Sequence, residues 1–372
     1  MWNYMDAIYE AALAALFPGR DAIFLEDLQA HFESAREAFS AGPDAFLAKG
    51  LLTEKQAEAC RERYDCDLPS RIDDYCHTHE VRICAYSGSA YPALLKEITA
   101  PPPVLYVKGE TPSLRVSLAV VGSRKASAYG IAAAGHLTGS LAREGLVIIS
   151  GGAYGIDAAA HKAALSAGGK TIAVLGGGFE HLYPAAHRGL FRQICEHGGA
   201  LVTEYAPWET PRSYYFPQRN RIIVGLSRGV LVVEAAEKSG AMITAHAAAD
   251  ENREVYAVPG PYYGVSQKGT HRLIKEGARL VDCPEDILKD FFPSHGNTPG
   301  RIEEPSLFEQ FSKTDQEQIK SLYQWIAQSG GQSMEAISEH FQWPFAVISM
   351  LLLRMEIAGL VRQGPGNRYL AL

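Results

Sequence analysis

The chain has 372 residues, 47% hydrophobic and 21% charged, with a formal net charge of −7. That length exceeds one small core, so two or three domains are expected, and no apolar run approaches the eighteen residues of a membrane span. The charge is uneven. Residues 1–80 hold sixteen Asp/Glu against seven Lys/Arg, a net of −9, which leaves about +2 on the remaining residues and room there for basic patches.

The N-terminus, MWNYMDAIYE, is acidic where a signal peptide would be basic, so a cytoplasmic protein is expected. Cysteines at 60, 66, 76, 84, 195 and 283 show no CxxC spacing and read as thiols, with no disulfide frame and no zinc site. DAIYEAALAALF, FLEDLQAHFESAREAF and TEKQAEACRERY space apolar residues three and four apart, which predicts a helical module over 1–80.

From about Val81 the pattern changes. The segment PPPVLYVKGE is extended, and strands follow at 117–124, 146–153, 170–178, 200–205, 229–236, 254–260 and 278–281, with helical stretches between most of them. Near-continuous apolar strands alternating with helices predict a doubly wound, mostly parallel α/β sheet over 81–292, with ligands bound beyond the carboxyl ends of the strands. Residues 293–313 are rich in Pro, Gly, Ser and charge and read as a linker. The tail, 314–372, resumes helical periodicity and closes on VRQGPGNRYLAL, which predicts a winged helix with second and third helices at Met334–Phe341 and Pro344–Ala358. Its third helix is mostly apolar, so protein contact and DNA contact both stay open.

The strand ends carry the chemistry. VGSRKAS puts Gly122, Ser123 and Arg124 at a strand-to-helix turn, with Ser127 as a helix N-cap. Backbone N–H groups there can form a phosphate nest, and an arginine adds a fork of donors. SGGAYGID (Ser150, Gly151, Gly152) and LGGGFEHLYP repeat the glycine-rich turn. Three such turns point to a phosphate-bearing ligand. It is not a dinucleotide cofactor, because G-x-G-x-x-G is missing, nor a P-loop nucleotide, because G-x-x-x-x-G-K-[ST] is missing; no cofactor is expected. No G-x-S-x-G elbow occurs and no cysteine sits beside a convergent histidine, so no catalytic residue is assigned. Asp157 and His161 share a helix face, either as a metal or acid–base pair or as a cap and a packed ring. Glu204 and Glu234 end two strands and are expected to hold arginines at the rim.

Between Glu209 and Glu234 stand Arg212, Arg219, Arg221 and Arg228, with Tyr214, Tyr215 and Phe216 among them and no acid. Cations with exposed rings suit single-stranded nucleic acid, phosphates going to the arginines and bases to the rings. On that reading Phe216 stacks on a base, Arg219 and Asn220 hold the backbone, and Arg221 pairs with Glu204 or Glu234.

The strings AVVGSRKASAYG, IISGGAYGIDAAAHKAAL, TIAVLGGGFEHLYPAAHRGL and FPQRNRIIVGLSRGVLVVEAAEKSGAMITA, then REVYAVPG and KGTHRLIKEGARLV, resemble the DprA/Smf family of DNA-processing proteins in order over most of 83–290. The N-terminal helices resemble that family's SAM or helix-hairpin-helix module, and the tail its winged helix. The resemblance implies an extended Rossmann domain that binds single-stranded DNA in a basic pocket, forms a homodimer, and loads RecA on incoming strands while displacing single-strand binding protein, without catalysis. It carries over a pocket of Gly122, Ser123, Arg124, Phe216, Arg219, Asn220, Lys238, Ser239 and Gly240, with Gly151 in the second turn. Tyr154 stands where the family usually has a basic residue, which removes one hold on phosphate and leaves stacking open. The alternative is a nucleoside-monophosphate phosphoribohydrolase of the cytokinin-activating LOG type, but EAAEKSGAMITA lacks the glutamate after the glycine that such an enzyme requires.

Overall fold

The computed structural model describes residues 4–292, 313–329, 332–357, 360–364 and 368–371. They fall into two compact units, divided after Gly296.

In the first unit, helices α1 (Tyr4–Leu16), α2 (Ala22–Gln29), α3 (Ala35–Ala48), α4 (Glu54–Arg61) and α5 (Leu68–Thr78) precede the first strand. FLEDLQAHFESAREAF, expected as one helix, is broken at Ser34, whose side chain accepts from Glu37 N at 3.1 Å while Glu37 Oε2 accepts from Glu33 N at 2.6 Å. Ser-x-x-Glu starts a helix, and here that local signal outweighs the continuous apolar spacing. Thr53 and Gln56 form a full capping box at α4.

Strands β1 (Val81–Ala85) and β2 (Val104–Gly109) follow, joined through the short α6 (Ala93–Lys96). The alternating part then runs β3 (Ser117–Val121), α7 (Ala128–Arg143), β4 (Val147–Ser150), α8 (Ile156–Ser166), β5 (Thr171–Val174), α9 (Arg188–Glu196) and β6 (Ala200–Thr203). After these come α10 (Tyr215–Gly225), β7 (Gly229–Val232), α11 (Gly240–Asp250), β8 (Glu254–Ala257), α12 (Lys268–Lys275), β9 (Arg279–Leu280) and α13 (Glu285–Phe291).

These strands form one nine-stranded sheet in the order β1-β2-β6-β5-β4-β3-β7-β8-β9. Pairing from β6 to β9 is parallel, and β1 and β2 add an antiparallel edge, Tyr106 facing Thr203. Period-2 alternation sorts the strands to two faces. Ala119 and Val121 join Ile222, Ile223 and Ala245 on one face, while Leu118 and Val120 join Leu137 and Ala160 on the other. The far end of that second face is covered by the N-terminal helices. Ile8, Leu13, Phe46 and Ile72 share a continuous buried cluster with Tyr106, Phe191 and Leu201. Helices α1 to α5 are therefore part of the same hydrophobic core as the sheet. Strand order reverses between β3 and β7, because β4 to β6 lie on one side of β3 while β7 to β9 lie on the other.

In the second unit, α14 (Lys313–Ser329), β10 (Gln332–Ser333), α15 (Met334–Phe341), α16 (Phe345–Ile357), β11 (Val361–Gly364) and β12 (Arg368–Ala371) give three helices and a β10-β12-β11 antiparallel sheet. Among the described residues this element order is compatible with the expected winged helix, with β10 as an additional strand. Ile348, Leu351, Leu352 and Met355 make the buried stripe of α16, so the apolar spacing of that helix serves its own core. The expected linker lies outside the described residues except for Lys313, which opens α14.

Candidate nucleic-acid interface

A cleft of about 590 Å³ opens at the β3/β7 switch point, at the carboxyl ends of the strands. Its walls come from the turn after β3 (Gly122, Ser123, Arg124, Lys125), from α10 (Pro217, Arg219, Asn220) and from the start of α11 (Ser239, Gly240). Two strand-end loops are tied together to make this floor. Ser123 N donates to Glu234 O at 2.7 Å, and the Glu234 carboxylate accepts from Ser127 N at 3.2 Å and from Ser127 Oγ. Ser127 in turn accepts from Gly130 N at 3.1 Å, capping α7. Gly122 must be small, since a Cβ there would stand 2.5 Å from Ile156 Cγ1. Glu234 is fully buried, lies outside the cleft lining, and holds the first turn in place rather than holding an arginine.

Arg124 and Lys125 are exposed at the mouth and have no ion pair among the described residues. The Arg124 guanidinium lies over the Phe216 ring, 5.4 Å from its centroid. Lys238 is exposed just before α11, outside the lining, and the Ser239 Oγ is buried without a partner among the described residues.

The other two glycine-rich turns are filled by the protein's own groups. In the second, Gly151 leaves room for Arg219, whose Nη2 would be 2.6 Å from a Cβ there. In the third, a Cβ on Gly176 would stand 2.9 Å from the Phe216 ring, and one on Gly178 would stand 2.2 Å from Pro207 O. A turn whose space is taken by packing is not free to cradle an anion, so the phosphate reading of three turns narrows to the first.

Arg219 is placed otherwise than its expected backbone-holding role requires. It is only 3% exposed, and its Nη1 donates to Gly151 O at 2.8 Å and to Val174 O. It reaches the cleft as part of the floor. Burial holds its guanidinium down to about 10, with Asp157 pulling the other way. Burial pushes the Asp157 carboxyl above its ordinary range, and Arg219 opposes that. Asp157 does not cap α8; the N-cap is Gly155, at φ 75°, and Asp157 Oδ2 instead accepts from Ala153 N at 3.3 Å. His161 is fully buried, its Nδ1 2.7 Å from Thr171 Oγ1, and burial lowers it to about 3, so it is a neutral packed ring.

The remaining arginines of the acid-free window go to separate tasks. Arg221 Nη2 donates to Glu204 Oε2 at 2.5 Å, an almost buried pair. Arg212 stands 3.6 Å from Glu209 and donates to Tyr214 Oη at 3.2 Å. Arg228 precedes β7, at the opposite end of the sheet, and lies 5.6 Å from the Phe291 ring centroid. Tyr215 is a core residue, stacked on Tyr205 at 4.0 Å, whereas Tyr214 is 51% exposed. Tyr154 is also exposed, edge-on to His187 at 4.9 Å.

The structure thus brings Gly122, Ser123, Arg124, Asn220, Ser239 and Gly240 around one cleft, with Phe216 beside it. Tyr154 and Lys238 lie outside its lining. Sequence reasoning missed Lys125, adjacent to Arg124 and also exposed, and the burial of Arg219. Helical spacing could have revealed the latter, because Tyr215, Arg219, Ile222 and Ile223 recur at four, three and one residues, the buried stripe of α10.

Fold and cleft together define a doubly wound α/β protein whose switch-point site offers a small-residue turn, two cations without an ion pair among the described residues and a partly exposed ring, equipment for a polyanion carrying aromatic bases. Residues 82–292 match DNA recombination-mediator protein A, and the chain belongs to that family. It is 41% identical to Protein Smf of Escherichia coli over 74% of each chain, and 30% identical to Protein Smf of Synechocystis over 94% of this chain and 95% of that one. It is 43% identical to DNA processing protein DprA of Bacillus subtilis over 55% of this chain and 69% of that one. Among solved structures it is similar to DNA processing protein A of Streptococcus pneumoniae, at TM-score 0.63 and 34% identity over 78% of this chain and 99% of that one. It is also similar to DNA processing protein A of Helicobacter pylori, a structure described for its single-stranded DNA binding mode. There the TM-score is 0.51 at 26% identity over 57% of this chain and 97% of that one.

Proposed function

We propose that this chain binds single-stranded DNA in the switch-point cleft and, during natural transformation, shields incoming strands and passes them to RecA in place of single-strand binding protein. It acts in the cytoplasm as a homodimer formed through the sheet unit. The observation that carries the binding step is the pairing of Arg124 and Lys125, free of ion pairs among the described residues, with the Phe216 ring at the mouth of the cleft. Phosphates take the cations and a base takes the ring, so affinity is expected to be strong and only weakly sequence-selective. The DNA-processing names of several relatives support the same reading. Binding rather than turnover fits the lining, whose single acid among the described residues, Asp157, is buried against Arg219.

The test is a titration of the full chain with oligothymidylate at several salt concentrations. Arg124→Glu is expected to weaken binding about tenfold or more and to flatten the salt dependence by about 0.7 for each phosphate no longer neutralised. Unchanged affinity and slope in that variant would remove the cleft from the binding path.

A further inference from the structure

A second basic cavity lies at the far end of the same rim. The loop after β6 carries Trp208, Glu209, Thr210 and Arg212 against the N-terminal helices, where Arg63 and Arg71 complete a space of about 280 Å³. Glu209 is its anchor. Arg63 Nη1 donates to Glu209 Oε2 at 3.0 Å, Tyr215 Oη donates to Oε1 at 2.8 Å, and Arg212 Nη2 stands 3.6 Å away. Burial pushes the Glu209 carboxyl up, but the hydrogen bonds from Arg63 and Tyr215 outweigh it and hold the group below the ordinary glutamate range. One buried carboxylate thereby orients two guanidiniums. A third, Arg71, lies over the Trp208 ring at 4.5 Å from the centroid, and its pair with Asp65 at 3.2 Å is solvent-exposed and weak. Three guanidiniums against the one lining acid leave the walls with a charge of +2.

Exposed rings accompany both cavities. Phe216, which Arg124 covers, lies 5.5 Å from Tyr183, and both Tyr183 and Tyr214 are 51% exposed. Tyr214 is in turn held by Arg212 of the second cavity. Segment 208–220 therefore lines both cavities, with Arg212 in one and Asn220 in the other.

We infer that the Arg63–Arg71–Arg212 cavity, with Trp208 in its wall, is a second phosphate-and-base subsite that extends the single-stranded DNA path from the switch-point cleft across the β5 and β6 loops to the N-terminal helices. The inference rests on the binding reading above. It gives the N-terminal module a direct hold on the strand, although that module carries a net charge of −9.

The experiment compares labelled oligothymidylates of about 6 and about 20 nucleotides, lengths that bracket one and more than one subsite, on the full chain. Wild type is expected to bind the long probe with a steeper salt dependence than the short one. Arg71→Glu is expected to weaken the long probe about tenfold while leaving the short one unchanged, and Arg71→Gln to act in the same direction with a smaller loss. Equal thermal midpoints for the three proteins establish that the fold is intact. Because Arg71 is half-exposed and Arg71→Gln removes only charge, that variant still gives the answer should Arg71→Glu unfold. If both probes show one salt slope, or if neither Arg71 variant changes long-probe binding while Arg124→Glu still weakens it, the second subsite falls and the cleft stands. If wild type fails to bind the short probe, the cleft reading falls, and the extension with it.

Discussion

Two basic stretches look alike in the sequence, the Gly-Ser-Arg-Lys turn at 122–125 and the four-arginine window between Glu209 and Glu234. In the folded chain they behave differently. The turn projects past the end of β3, and Arg124 and Lys125 remain exposed there. The window centres on helix α10, packed on the sheet, and its arginines are shared among Gly151 and Val174 carbonyls, Glu204, Glu209 and the Phe291 ring. A count of cations in sequence measures charge; availability depends on whether the backbone under each one faces solvent or another layer.

The sharpest way to break this contrast is Arg219→Leu. It strips two carbonyls of their donor and leaves the buried Asp157 without its main opposing cation, so unfolding in urea should show a loss of about 3–5 kcal/mol. A loss below about 1 kcal/mol would mean that Arg219 is not the structural member of the pair.

Next in size is His161. Its unfolded form takes a proton below about 6.5, while the folded form resists until about 3. Between those values the unfolded state binds more protons, so stability is lost as pH falls, by up to about 1.4 kcal/mol per pH unit from this group. Asp157 and Glu204, both raised by burial, act in the opposite direction over the carboxylate range. The informative quantity is therefore the difference in stability between wild type and His161→Asn as a function of pH, which should shrink on acidification. A difference independent of pH between 6.5 and 4 would contradict a neutral buried ring.

Gly176→Ala should cost about 1–3 kcal/mol, because the added methyl meets the Phe216 ring, and should also weaken oligothymidylate by displacing that ring. Smallest in stability, and largest in binding, is Arg124→Glu. Its thermal unfolding should match wild type to within about 0.5 kcal/mol while affinity falls. If it destabilised the chain as Arg219→Leu does, the distinction between the two stretches would collapse.

Much of the sheet was legible. Strands β3 to β9 fall inside the expected segments, because buried parallel strands are unbroken apolar runs ended by small residues. The lining was legible at Gly122, Ser123 and Arg124, since strand–turn–helix punctuation is local, while Asn220, Ser239 and Gly240 were reached only through the family resemblance. Two features were not. The glycines at 151 and 176 look like anion turns, yet their missing side chains make room for Arg219 and Phe216, sixty-eight and forty residues away in sequence. The split between α2 and α3 was masked by apolar spacing that runs on through the break, although Ser34 and Glu37 carried the signal.

The sequence by itself determined the alternation of strands and helices, the composition of the turns and the resemblance to a DNA-processing family, all of which depend on residues close together in the chain. Only the tertiary structure decided which cations remain free. Arg219, Arg221 and Arg124 are chemically the same group within about a hundred residues, and burial against carbonyls, burial against Glu204 and exposure beside Phe216 give them three different tasks. Desolvation and partner geometry set what a charge can do, and both are properties of packing between segments distant in sequence.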